Sequence, residues 1–335
     1  MTHHASNTTF ELHRREVLRQ IGAVAATALP GVNAFAQQQY PTRPVTVIFP
    51  GAPGTPSDLV GRKLTAVMGE KAGVPFVADN KPGANGVIGV QAFLKTPADG
   101  YNVLFTTTSI TATNKAMIKD LPYEPTKDLV PIGFGIRIWL MVAVNAKLPY
   151  KNIQEFIAFA KANPDKLNYG FGTPNVQLGG KLFEQLTGVR FTYVPYKSHA
   201  SMVLALMTGE VDLTVTDYLS LGSFLKAGTI RALAATAPSR IASIPDVPTM
   251  AELGLPPVEM MSAHLFMAKS GTPPDVLARL AELMKAAAQS KEFTDWLTTT
   301  GFDNYLVTGA DAVRESNKEI GRIGAIARNA GLQPS

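Results

Sequence analysis

The chain has 335 residues, of which 46% are apolar and 17% charged, a globular balance that excludes a disordered chain and gives length for two domains. Its formal charge of +5 is a mild excess without a Lys/Arg cluster, which argues against a nucleic-acid surface and suits a small anionic ligand. There is no cysteine, so core packing rather than disulfides must hold the fold.

Residues 1–36 read as an export signal. Arg14-Arg15-Glu16-Val17-Leu18 precedes a modest apolar run from Ile21 to Leu29 and a small-x-small site at Ala34-Phe35-Ala36. The paired arginines and the weak apolar core, broken by Gly22 and Pro30, point to twin-arginine export, with an ordinary Sec signal as the open alternative. Both routes lead out of the cytoplasm. No later run approaches the roughly 18 consecutive apolar residues of a membrane-spanning helix, so the mature chain is expected not to span a membrane.

After the signal, strand and helix alternate. Pro44 to Pro50 is an apolar, β-branched run, Gly51 to Asp58 a loop of small residues, and Leu59 onward a helix. Such a turn delivers unpaired N–H groups and about half a positive charge to one point, a seat for an anion. Val74 to Ala78 reads as a strand, Gly86 to Leu94 as a helix, and Tyr101 to Thr106 as a strand opening into the hydroxyl-rich loop Thr107 to Asn114. The middle repeats the theme: strand Ile138 to Val144, helix Ile153 to Ala162, strand Leu167 to Phe171, then a small polar turn into a helix at Leu178 to Leu186. Strands are predicted at Phe191 to Val194, Val211 to Val215 and Ile230 to Thr236, and helices at Pro274 to Ala288 and Asp311 to Asn329. This alternation predicts α/β architecture, with ligands beyond the carboxyl ends of parallel strands.

The chemistry of catalysis is missing from the pattern. His3, His4 and His13 fall in the signal, leaving His199 and His264. No metal-ligand spacing, G-x-S-x-G elbow, P-loop or complete G-x-G-x-x-G is present, so no catalytic residue, metal or cofactor is assigned.

Ten short motifs, in order along nearly the whole mature chain, carry a resemblance. Among them are Ala52-Pro53-Gly54-x-x-x-Asp58, Asn80-Lys81-Pro82-Gly83-Ala84-x-Gly86, Pro97-x-Asp99-Gly100-Tyr101, Val194-Pro195-Tyr196-Lys197 and Asp246-Val247-Pro248-Thr249. Together the motifs resemble the solute receptors of tripartite tricarboxylate transporters, the Bug-type family. The resemblance implies a two-lobed periplasmic binding protein, type II-like, with two chain crossovers. Lobe one is expected at 40–137 plus 263–335 and lobe two at 138–262. It also implies a small carboxylate held by backbone and hydroxyl groups in an interlobe cleft, without an arginine clamp, and delivery to the membrane permease subunits of such a transporter.

The candidate ligand residues are Gly54, Thr55, Ser57, Asp58, Thr107, Thr108 and Ser109 from lobe one, with Thr173, Asn175, Gln177, Ser198, His199 and Asp217 from lobe two. Three of them have a second reading. Asp58 can simply complement a helix dipole, Asp217 can fix its own turn as an Asx residue, and His199 can be an exposed helix-start residue. Phe49 and Trp139, apolar strand residues, read as core or hinge. The first turn departs from the family pattern: Gly51 stands where an aromatic is usual, and Pro56 removes an N–H while Thr55 and Ser57 supply hydroxyls. Room at Gly51 favours an aromatic carboxylate, unless Tyr218 or Met202 folds into it. Presentation of the ligand to a sensor kinase and an exported enzyme acting on an organic acid are the other functions left open, and oligomeric state is not legible.

Overall fold

The computed structural model describes residues 40–256, 260–298, 300, 302–332 and 334; the expected export signal at 1–36 lies outside them. Residues 43–335 form one compact unit. It begins with β1 (Val45–Phe49), α1 (Pro56–Ala72) and β2 (Phe76–Asn80). The β-branched run makes the strand, Thr55 caps the helix, and Gly73 at φ +71° ends it in the left-handed conformation. Then come α2 (Val87–Leu94), β3 (Asn102–Thr107), a π-helical turn over Ser109–Thr113, α3 (Asn114–Met117) and α4 (Pro125–Asp128).

β4 (Leu129–Asn145) is the strand on which the molecule is assembled. At 17 residues it extends well upstream of the expected 138–144. Pro131, Gly133 and Gly135 read as strand breakers in one dimension. In three dimensions the register shifts at Pro131/Gly133 and Phe134/Ile136, and the glycines make room. A Cβ on Gly133 would lie 2.8 Å from Met284 Sδ, and one on Gly135 would lie 3.0 Å from Leu64 Cδ2.

The second half of the chain follows as α5 (Ile153–Ala162), β5 (Asn168–Phe171), α6 (Pro174–Thr187), β6 (Thr192–Pro195), α7 (His199–Thr208), β7 (Leu213–Asp217), α8 (Tyr218–Lys226) and β8 (Ile230–Ala235). The chain returns through β9 (Met261–Lys269) and closes with α9 (Pro274–Ala288), α10 (Lys291–Thr298), β10 (Asp303–Thr308) and α11 (Ala310–Asn329).

The mixed sheet has two halves that share β4. In one the order is β2-β1-β3-β9-β4-β10, and in the other β6-β5-β7-β4-β8. In each half three strands are parallel, and one antiparallel strand separates them from the next. This gives a two-lobed α/β fold in which β1 and β5 hold equivalent places. Ile138 pairs with Ser262 and Arg137 with Ala263, where β4 passes from one half to the other.

Each half has its own core. Ile48, Phe93, Leu104, Phe134, Leu265 and Met267 belong to one cluster, and Val142, Phe156, Phe183, Leu213 and Val215 to the other. α11 spans both, with Ala312 in the first cluster and Ile323 and Ala327 in the second. Phe49 is buried against Phe105, ring centroids 5.5 Å apart. Trp139 is buried with Ala235, Ala237 and Ile241, and its Nε1 donates to Asp303 Oδ2 at 2.7 Å. Both are packing residues, each fixed by about 1.5–3 kcal/mol of apolar burial.

Candidate functional site

The turns β1–α1 and β5–α6 are built alike. In the first, Thr55 is the N-cap, its Oγ1 accepts the Asp58 N–H at 3.4 Å, and Pro56 opens the helix. In the second, Thr173 Oγ1 accepts the Val176 N–H at 3.5 Å and Pro174 opens the helix. The intrahelical ladders start with Leu59 N–H to the Thr55 carbonyl and Gln177 N–H to the Thr173 carbonyl. The cap takes one early N–H and proline removes another, so the second helical residue, Ser57 or Asn175, keeps an N–H that no helix carbonyl can accept. Its polar side chain adds a hydroxyl or an amide at the same place.

Both turns line one cavity of about 450 Å³. Of the sequence-predicted residues, Thr55, Ser57, Thr107, Ser109, Thr173, Asn175, His199 and Asp217 line it, while Gly54, Asp58, Thr108, Gln177 and Ser198 do not. Asp58 is buried beneath the turn and accepts from Gly54 N–H, Arg62 Nε and Asn80 Nδ2, each at 2.9 Å. Asn80 Nδ2 also reaches the Gly51 carbonyl at 3.0 Å, so the group staples the loop to the end of β2. Burial works to raise the Asp58 pKa, but the hydrogen bonds from Arg62, Asn80 and Gly54 and the Arg62 charge outweigh it and hold it below the usual value.

The other residues off the cavity are also accounted for by local structure. Thr108 is buried and its Oγ1 accepts the Ala263 N–H of β9 at 3.1 Å. Ser198 forms a reciprocal capping box with Ser201 at the start of α7. Gly54, at φ +78°, shapes the loop that Asp58 holds. Gln177 follows the first turn of α6.

Asp217 caps α8, accepting from Ser220 N–H at 2.9 Å and from Ser220 Oγ at 3.0 Å. His199 is half-buried as the first residue of α7, with Nε2 3.2 Å from Thr216 Oγ1 and 3.9 Å from Asp217 Oδ2. Gly51 lines the cavity, and a Cβ built on it would meet only Thr55 Oγ1 at 3.5 Å. Neither Tyr218 nor Met202 lines the cavity, and Met202 is buried in the core of the β4–β8 half.

The apolar wall and its polar companions were not singled out from sequence. Phe105, Ile110, Ile138, Leu140, Val176 and Phe302 supply apolar surface to the cavity. His264, on β9, also lines it. Its ring stacks on Phe105 at 5.9 Å and 30°, and meets Phe302 edge-on at 5.8 Å and 86°. Burial pushes its pKa down to about 4 against a smaller opposing effect of Asp217, so the imidazole is neutral near pH 7. The one hint of it in the sequence was that it is one of two histidines after the expected export signal. Among the described lining residues none is Lys or Arg, and the positive ends the lining offers are helix N-termini and neutral donors.

A two-lobed α/β frame with a pocket at the carboxyl ends of parallel strands, walled by helix N-termini from both halves of the sheet, defines the periplasmic binding protein class. A profile described as the tripartite tricarboxylate transporter family receptor matches residues 26–332, and the chain belongs to that family. It is similar to BugT of Bordetella pertussis, 31% identical over 96% of this chain and 99% of the relative. Among solved structures, an R. palustris protein with adipate is 33% identical with a TM-score of 0.81, covering 88% of this chain and all of that one. Periplasmic binding protein BugD is 27% identical with a TM-score of 0.76, over 88% of this chain and all of that one. The family and these structural neighbours are solute receptors and binding proteins.

Proposed function

We propose that this protein is a periplasmic receptor that closes on a small organic carboxylate in the cleft between its lobes and delivers it to the permease subunits of a tripartite tricarboxylate transporter. The observation that carries this reading is the convergence of two Thr-Pro-capped helix N-termini, one from each half of the sheet, on a single cavity with no Lys or Arg among its described lining residues. The carboxylate lies against Ser57 and Asn175, with the hydroxyls of Thr107, Ser109 and Thr173 around it, while the Thr55 hydroxyl donates to the Ala52 carbonyl at 2.9 Å and holds the turn. The adipate bound to the R. palustris relative supports an organic acid as the ligand class. Open space at Gly51 and the Phe105–Phe302 wall favour an acid with a ring or another bulky apolar body.

Lobe one comprises 40–137 with 263–335 and lobe two 138–262, and the paired segments at Ile138 and Ser262 act as hinge strands. Calorimetry of the purified mature protein with aromatic and aliphatic mono- and dicarboxylates tests the binding step. Scattering with and without a saturating acid tests closure: compaction is expected, and an unchanged profile with a bound acid removes the hinge. Uptake of the bound acid by vesicles carrying the permease, with and without the receptor, tests delivery.

A further inference from the structure

Few titratable groups line the cavity. Among its described lining residues they are His199, Asp217 and His264, with no Lys or Arg, so these side chains set the charge that an incoming acid meets. His264 is buried on β9 and neutral near pH 7. An aspartate is ionised at that pH, which puts a negative charge on the wall of a cavity read as an anion site. Asp217 ends β7 beside Leu140 of β4, and its bonded neighbours, Ser220 and Thr216, are neutral donors.

His199 stands between that charge and the carboxylate seat. Its backbone packs on Gly172, the residue before the Thr173 cap, so closely that a Cβ on Gly172 would lie 2.8 Å from His199 N. Its ring is tied to the end of β7, with Nε2 3.2 Å from Thr216 Oγ1 and 3.9 Å from Asp217 Oδ2. The His199 and Asp217 side chains are 28% and 20% exposed, so both remain accessible where they line the cavity. The elements packed around the ring bring no other cation to it. The turn from Gly172 to Gln177 has no titratable side chain, and β5 offers Tyr169, whose hydroxyl is spent on Val176 and Val215. α8 adds Tyr218 next to Asp217, and before α7 come exposed Lys197 and Tyr196, the latter bonded to Glu210; none of these lines the cavity.

We propose that His199 is the exchangeable cation of the site: the acid binds together with a proton, which His199 takes up to stand between the ligand carboxylate and Asp217. This rests on the carboxylate-receptor reading and adds to it the residue that adjusts the charge. With a neutral imidazole, the acid brings a second negative charge into a cavity walled by Phe105, Ile138 and Leu140, where charges are weakly screened. With an imidazolium, each carboxylate faces an opposite charge. Histidine is the side chain that makes this change between pH 5 and 8. The coupling is reciprocal, so an anion that favours the protonated ring binds more tightly as pH falls.

Calorimetry of the purified mature protein with benzoate, hexanoate, terephthalate and adipate, from pH 6.5 to 8.5 and in buffers of different ionisation enthalpy, counts the proton. These acids are ionised throughout that range, and His264 and Asp58 titrate below it. The acids that bind are expected to take up a fraction of a proton approaching one and to lose about tenfold in affinity from the lowest to the highest pH, the size of one charge coupling. His199→Gln, which keeps a hydrogen-bonding amide beside Thr216 and cannot take up a charge, should give a flat profile without buffer dependence. Asp217→Asn, which still caps α8, should bind more tightly than the wild type at pH 8.5. A bound acid with no proton uptake overturns the inference and leaves the receptor reading intact, and so does an uptake that persists in His199→Gln. Failure of every acid to bind overturns the receptor reading itself, and this inference with it. The wild-type proton count needs no variant, so a misfolded substitution does not blunt the test.

Discussion

The two turns that meet at the cavity share one cap and differ in what holds them. Under β1–α1 the third helical residue is Asp58, buried and charged, and it gathers Gly54, Arg62 and Asn80 into a hydrogen-bonded staple. Under β5–α6 the same place is Val176, buried in the apolar core of the β4–β8 half. There the turn is held by shape. The Tyr169 hydroxyl donates to the Val176 carbonyl at 2.5 Å and accepts the Val215 N–H at 3.0 Å. Gly172 lies so close to the next turn that a Cβ on it would be 2.6 Å from the Ser198 carbonyl carbon and 2.8 Å from His199 N. The same cavity-facing geometry is therefore produced electrostatically on one side and sterically on the other, so the two sides should fail under different perturbations.

Acid is the largest lever. The folded pKa of His264 is about 4 against an ordinary value of 6.5, so its neutral form contributes stability above pH 6.5 that is lost as pH falls to 4. The loss should be about 3 kcal/mol, absent in His264→Phe, when unfolding free energy is measured against pH. Asp58 has a depressed folded pKa, so its contribution is present above its ordinary value near 4 and disappears as pH falls through the lower folded value. Below pH 4 the α1 turn should gain amide exchange while the α6 turn does not. Equal loosening of both turns would break the comparison.

Packing is the next lever. Gly172→Ala should destabilise by about 1–3 kcal/mol, because a backbone carbonyl and amide cannot move aside as a flexible side chain can. Gly51→Ala, which meets only a hydroxyl at 3.5 Å, should stay within about 0.5 kcal/mol of the native protein in denaturant melts. A neutral Gly172→Ala would show that the second turn has slack.

What was legible in sequence follows from how local each feature is. A β-branched run, a small-residue loop and a Thr-Pro cap are nearest-neighbour chemistry, so Thr55, Ser57, Thr173 and Asn175 could be placed at helix starts, and the structure puts them on one cavity. Thr107 and Thr108 could not be told apart: one lines the cavity, and the other spends its hydroxyl on Ala263, 155 residues away. The wall of Phe105, His264 and Phe302 was hidden for the same reason. It exists because β9 inserts antiparallel between β3 and β4, a pairing no local pattern announces. Leu129–Arg137 was obscured by Pro131, Gly133 and Gly135; the purpose of the glycines is visible only once β10 and α9 press against Gly133 and α1 and α9 against Gly135.

Substitutions at the ligand face come next in size. Ser57→Ala and Asn175→Ala should each weaken carboxylate binding by about 1–2 kcal/mol, or roughly 5- to 30-fold, as expected for a hydrogen bond to a charged group. If the turns share the anion, the two losses should be similar and the double variant should fall short of their sum, since both act on one ligand. A large loss at one turn and none at the other would mean that the carboxylate belongs to a single lobe.

Arg62→Ala should be the smallest effect, and it separates the parts of the staple. Arg62 is 45% exposed, so its ion pair with Asp58 is screened and worth less than about 1 kcal/mol. Gly54 N–H and Asn80 would still hold the Asp58 carboxylate and with it the loop. Affinity should therefore change by less than about threefold, whereas Asp58→Asn, which weakens every bond in the staple, should cost about 2 kcal/mol of stability. Should Arg62→Ala prove as damaging as Asp58→Asn, the first turn is held by its charge pair rather than by buried neutral donors. High salt would then loosen the α1 turn alone, measured as a fall in carboxylate affinity that Gly172 and its neighbours do not share.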